Sequence, residues 1–225
     1  MIEILDEQKL IAACQKLSDL DKDLKSIYQT YGLPPLWKRS QGFPTLVHII
    51  LEQQVSVASA KSAFDKLQKI LGELTPEGIL SLSDEEMKAA YFSRQKTLYA
   101  RELAKAVLEK RLRLGEFETM SDEAIKSELI KIKGIGDWTA DIYLLMAMLR
   151  ADVMPRGDLA LHVAWQKLKK LERKPTADEF LQIAEKWKPF RAVAARLLWQ
   201  FYLSERKILT TKTQGTQRKI MKSEK

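Results

Sequence analysis

Cysteine is almost missing from this chain: Cys14 is the single one among 225 residues. A disulfide framework is thereby excluded, and with it any all-cysteine zinc or iron–sulfur site. Histidine is nearly as scarce, with His48 and His162 alone. Glycine numbers nine, which leaves little room for hairpin turns, and alternating β-branched runs are rare. The longest apolar stretch, Ile142–Leu149, falls far short of the roughly 18 residues that a membrane span needs. The opening MIEILDEQKL is acidic and lacks the basic-then-apolar layout of a secretion signal. An intracellular setting is therefore expected, cytoplasmic in a prokaryote and nuclear in a eukaryote.

What is present is an ordinary apolar content of 45% and an excess of 38 Lys and Arg over 30 Asp and Glu. The net +8 and pI near 9.4 favour a polyanionic partner, though charge speaks to association and not to fold. Apolar residues recur at three- and four-residue spacing, as in Leu46, Ile49, Ile50, Phe64, Leu67 and Leu71. Ser83 with Glu86, and Thr176 with Glu179, read as capping boxes. Thr75-Pro76 places proline just inside a helix start, and Ser121-Asp122-Glu123 places a cap and two carboxylates at another. Helices are expected near 6–30, 45–71, 84–91, 94–113, 121–131, 137–150, 159–170, 176–187 and 190–206. The fold class is all-α.

Two local patterns carry chemistry. In Lys131-Ile132-Lys133-Gly134-Ile135-Gly136-Asp137-Trp138-Thr139 one helix should end and another begin around a Gly-Ile-Gly turn. Such a turn is either an ordinary helix–helix connection with glycine as C-cap, or an anion site built from backbone N–H groups at a helix start. Downstream, Pro155-Arg156-Gly157-Asp158 precedes a helix. Asp158 sits where an N-cap belongs, a role compatible with a second one as an ionised carboxylate.

The two patterns together, over approximately residues 40–206, resemble the helix-hairpin-helix glycosylases (HhH-GPD), and within them the 3-methyladenine DNA glycosylase II branch. Ile50-Leu51-Glu52-Gln53-Gln54-Val55-Ser56-Val57-Ala58 is similar to that branch's early Q-Q/L-V-S-x-A helix. Ser93-Arg94-Gln95-Lys96-Thr97-Leu98-Tyr99 is similar to its S-x-x-K-x-x-Y segment, and Trp187-Lys188-Pro189-Phe190-Arg191 to its W-x-P-[WF]-R signature.

The resemblance implies a compact two-lobed helical bundle over residues 1–209, with an active-site cleft between the lobes. The hairpin region would span about 121–150, and an N-terminal helix and linker over 1–40 would fold back onto the body. It implies a monofunctional enzyme that excises alkylated purines, 3-methyladenine and 7-methylguanine, from double-stranded DNA and acts as a monomer. Asp158 would stabilise an oxocarbenium-like sugar, and Trp138 and Trp199 would hold the flipped cationic base by cation–π contact. DNA contact falls to Lys131, Lys133, Gly134, Ile135, Gly136 and Thr139, to Gln53, Gln54 and Ser56, and to Arg94 and Lys96. Of the glutamine pair, Gln54 is the side chain expected to fill the gap left by the flipped base. No cofactor is required and no iron–sulfur cluster is expected. The carbonyls of Ile130, Ile132 and Ile135 could share a sodium or potassium ion with a phosphate.

Bland readings stand beside these: tryptophan at helical spacing packs cores, and both histidines fall among apolar helix positions. A non-catalytic DNA-structure-binding hairpin protein, a glycosylase for other damaged bases, or a glycosylase with lyase activity are the rival functions. Trp138 occupies the position where lyases carry their lysine, which speaks against the last. From Glu205 onward seven basic residues face two acidic ones. Residues 210–225 therefore read as a basic, disordered tail that adds salt-sensitive attraction to phosphates.

Overall fold

In a computed structural model that describes residues 3–206, the chain is helical, and no strand forms among the described residues beyond one isolated bridge between Ile4 and Arg150. The expected basic tail lies outside the described residues. The helices are α1 (Glu7–Leu20), α2 (Lys22–Tyr31), α3 (Phe43–Glu52), α4 (Val57–Leu71), α5 (Pro76–Ser81), α6 (Asp84–Ala89), α7 (Arg94–Leu108), α8 (Asp122–Ile130), α9 (Asp137–Met146), α10 (Leu159–Lys169) and α11 (Ala177–Ala184). Residues 191–206 form a further helix, α12. Short 3-10 segments occupy Leu114–Thr119 and Glu185–Trp187.

Both capping boxes form as the sequence predicts, at Ser83/Glu86 and Thr176/Glu179, and Ser121 caps α8 through a bond from the Ala124 N–H. Four of the expected helices need correction. The helix expected at 6–30 is two helices broken at Asp21, whose carboxylate caps α2 at Asp23 N and also accepts from Trp187 Nε1 at 2.9 Å. The helix expected at 45–71 is likewise two, because Gln54 takes a left-handed φ of 56° and Ser56 starts α4 by accepting from Ser59 N. The proline-initiated turn at Thr75 opens a separate short helix, α5, and the helices expected at 94–113 and 137–150 stop earlier, at Leu108 and Met146.

The chain divides into two compact units. The first takes in Trp37–Arg150 together with Glu3 and Ile4. Here α3 packs on α4, α7 and α9, and α8 packs on α9. Its core is built from Leu46, Ile49 and Ile50 of α3, Ala100 and Leu103 of α7, and Ile142, Leu144 and Leu145 of α9, all buried. Tyr143 lies among them and its hydroxyl accepts from Gly42 N at 2.9 Å. Arg150, also buried, pairs with Asp122 at 3.0 Å and donates to the Phe117 and Met120 carbonyls. These bonds tie the end of the unit to the approach of α8.

The second unit joins Leu5–Leu36 to the described residues from Ala151 to Arg206. The T-shaped and edge-on rings of Trp165, Phe180 and Trp187 form its centre, with centroids 5.4–6.4 Å apart. The N-terminal helices are bound to it by polar links as well as packing. Arg196, fully buried on α12, donates to the Leu36 and Ala192 carbonyls, and Lys169 meets Asp23 at 2.8 Å.

Candidate functional site

The first group of candidate residues surrounds the turn between α8 and α9. Gly134 has a φ of 94°, a region costly for any residue with a Cβ. A Cβ there would also stand 2.1 Å from Tyr99 Cγ, so the ring of Tyr99 lies directly on the turn. Glycine is required twice over. Gly136 is the N-cap of α9 and has no side chain to satisfy the first N–H groups of the helix. Lys133 is exposed beside the turn, and Lys131 is exposed while pairing with Glu128 at 2.6 Å.

Other side chains fix this turn to the helices around it. Lys126 of α8 reaches Asp137 Oδ1 at 3.0 Å and the buried Asp141 at 2.9 Å. Burial opposes its charge, but the two carboxylates outweigh that and hold its pKa above the usual lysine value. Gln53 Nε2 donates to the Gly134 carbonyl at 2.8 Å and to Thr139 Oγ1 at 3.0 Å. Lys96 Nζ donates to the Leu51 carbonyl at 2.7 Å, and burial pushes its pKa down. Of the remaining candidates in this unit, Gln54, Ser56 and Arg94 are exposed, Trp138 is half-buried and Thr139 is buried. Val55 and Val57 beside Gln54 are exposed as well.

The second group lies in the other unit. Asp158 is the N-cap of α10, and its Oδ1 accepts from Leu161 N at 3.0 Å and from Trp199 Nε1 at 3.1 Å. Both Asp158 and Trp199 are buried. Two N–H donors on one oxygen fix the carboxylate's rotation. The loop that delivers it is anchored in turn: Arg191 grips Asp152 through Nε to Oδ1 at 2.8 Å and through a second nitrogen to Oδ2 at 3.0 Å. Ala192 N adds a bond to the Ala151 carbonyl at 3.0 Å. His162, one turn after Asp158, packs on Phe180 at 5.0 Å, and His48 of the first unit stacks on Phe64 at 4.3 Å. Burial pushes both imidazole pKa values down, with the charge of Asp158 pulling against it at His162 and that of Glu52 at His48.

Lys126, Tyr99, Arg191 and Asp152 take structural roles at the site that the sequence does not announce, and Gln53 and Lys96, expected to meet DNA, are each bonded within the protein. Tyr99 and Arg191 stand inside the Ser93–Tyr99 and Trp187–Arg191 motifs, the one signal in the sequence that points to them.

A helical chain with a glycine hairpin and, downstream, a proline- and glycine-bearing loop ending in aspartate carries the two features for which one class of DNA repair proteins is named. The chain belongs to that class: residues 47–190 match the family described as HhH-GPD superfamily base excision DNA repair protein. It is 29% identical to DNA-3-methyladenine glycosylase 1 of Schizosaccharomyces pombe, over 88% of this chain and 92% of that protein. YfjP of Bacillus subtilis is 28% identical over 79% of this chain, which spans only 64% of that relative's length. Among solved structures, the 3-methyladenine DNA glycosylase Mag1 of Schizosaccharomyces pombe, in complex with abasic DNA, superposes with a TM-score of 0.79 at 31% identity. That match covers 84% of this chain and 95% of Mag1.

Proposed function

We propose that this chain is a monofunctional DNA glycosylase that hydrolyses the N-glycosidic bond of alkylated purines in double-stranded DNA, as a first step of base excision repair. The observation that carries the chemistry is the buried Asp158 carboxylate, held by Trp199 Nε1 and Leu161 N. As the glycosidic bond lengthens, positive charge develops on the sugar, and a fixed carboxylate stabilises it without having to reorganise. The same group can polarise the attacking water. Alkylation at N3 or N7 already makes the base a cation and a good leaving group, so no strong general acid is needed. The bond to Trp199 gives that tryptophan a part in positioning Asp158 in addition to any contact with the base.

Backbone N–H groups at the Gly134–Gly136 turn would take a DNA phosphate, with Lys133 adding charge. Carbonyl oxygens suit a monovalent cation, and the Ile132 carbonyl, which accepts from Ile135 N at 3.0 Å, keeps a second lone pair for one. The set Ile130, Ile132 and Ile135 is thus compatible with a sodium or potassium ion that would share the phosphate's charge. Trp138 stands where a Schiff-base lysine would be needed, so strand cleavage is not part of the reaction. The protein would act as a monomer inside the cell; among the described residues no helix is long and apolar enough to cross a membrane.

The test is release of free 3-methyladenine and 7-methylguanine from methylated duplex DNA by the purified chain, alongside borohydride trapping. Release without a covalent adduct is expected. No release of any alkylated base would overturn the activity, and a trapped adduct would overturn its monofunctional character.

A further inference from the structure

The two adjacent glutamines between α3 and α4 point to separate tasks. Gln53, half-buried, closes α3 and spends its side-chain amide inside the protein. A carbonyl oxygen can only accept, so its contact with Gly134 fixes which end of the amide faces the turn. One N–H thus holds the carbonyl of the first residue of the Gly134–Gly136 turn, and the amide nitrogen also meets Thr139 in the first turn of α9. Gln54, the next residue, is exposed and left-handed, with φ at 56°. That conformation is unfavourable for a residue with a Cβ and persists only where neighbours hold it. On one side the neighbour is Gln53, clamped to the hairpin; at the last turn of α3, Lys96 is clamped to the Leu51 carbonyl. On the other side Ser56 caps α4.

We infer that Gln53 is a positioning residue that couples the phosphate-binding turn to the outward presentation of Gln54, so that docking of a phosphate and insertion into the duplex are one event. The inference rests on the proposed function, since it takes the hairpin as the phosphate site and Gln54 as the inserted side chain. A phosphate that orders the turn also orders the Gly134 carbonyl, and through it the Gln53 amide and the backbone of Gln54. Coupling of this kind is reciprocal: insertion of Gln54 strengthens phosphate docking by the same factor.

A double-mutant cycle on the full chain tests it. Dissociation constants are measured at one fixed salt concentration for a duplex carrying a tetrahydrofuran abasic-site analogue, and for the undamaged duplex of the same sequence. The proteins are wild type, Gln54→Ala, Gln53→Met and the double variant, with circular dichroism to establish folding. Gln54→Ala is expected to weaken analogue binding about tenfold in the wild-type background and less than about twofold in the Gln53→Met background. Gln53→Glu, which keeps size and polarity but offers no donor to the Gly134 carbonyl, is expected to abolish the coupling in the same way and serves in the cycle if Gln53→Met does not fold. A merely structural Gln53 would lower the melting temperature and leave the Gln54→Ala factor unchanged. Equal factors in the two backgrounds, or no effect of Gln54→Ala in wild type, overturn the inference. No base is released in these measurements, so a failure of the proposed activity would appear in the release assay and not here.

Discussion

The turn at Gly134–Gly136 and the loop ending at Asp158 are both helix starts, yet they are built in opposite ways. The turn has had side chains removed: glycine at its first and last positions leaves backbone N–H groups uncovered, and Tyr99 packs where a Cβ would stand. The Asp158 loop depends on a side chain. Its carboxylate is buried, caps α10 itself, and is fixed by an indole N–H from a helix 41 residues further on. An open helix N-terminus binds any phosphate that reaches it, whereas a capped one has committed its dipole to a single, immobile carboxylate. Docking and chemistry should therefore fail independently when each start is altered.

The largest separation is expected between substitutions at Asp158 and at Gly134. Gly134→Ala combines a disfavoured φ with overlap against Tyr99, and should destabilise the protein by roughly 2–4 kcal/mol and weaken binding to undamaged and damaged duplexes alike. Equilibrium denaturation and salt-controlled binding measure the two effects. If Gly134→Ala bound DNA normally, the turn would be a plain connection between helices. A smaller effect is expected at the ion pairs behind the turn. Lys126→Met leaves the buried Asp141 without its cation and should cost about 2–3 kcal/mol, the partial exposure of Lys126 reducing the loss expected of a fully buried pair. Restoring most of that loss by adding Asp141→Asn would show that the uncompensated carboxylate is the cause.

The smallest effect concerns pH. The folded-state pKa values of His48 and His162 lie below the unfolded value near 6.5, because burial disfavours their charged forms. The unfolded chain then binds more protons below about pH 6.5, so stability falls as pH drops through that range. Urea midpoints measured at pH 7.5 and 5.5 should decrease, and His162→Gln should shrink the decrease. A midpoint that rose on acidification would contradict the packing described for both rings.

Local signals were readable and long-range ones were not. Capping boxes at Ser83 and Thr176 involve residues three apart, so spacing alone reveals them. The break at Asp21 was hidden, because apolar positions continue in helical register from Leu17 through Leu24 to Ile27, and what stops the helix is a carboxylate shared with Trp187, far along the chain. The same holds at the site. The glycine turn and the capping aspartate stand out as strings, but two neighbouring glutamines look alike until the left-handed φ at Gln54 and the acceptor 81 residues from Gln53 tell them apart. Arg191 was visible inside a motif, yet its partner Asp152 lies 39 residues earlier and carries no mark of its own.

The division between docking and chemistry is tested most directly by Asp158→Asn. Its amide can still cap α10 through an oxygen, so the fold and the hairpin should be preserved while the negative charge is lost. Single-turnover release of 7-methylguanine at saturating protein should fall by at least about 100-fold, with the dissociation constant for an abasic-analogue duplex within about threefold of wild type. Release at a near wild-type rate would show that Asp158 is only a helix cap and would contradict the account.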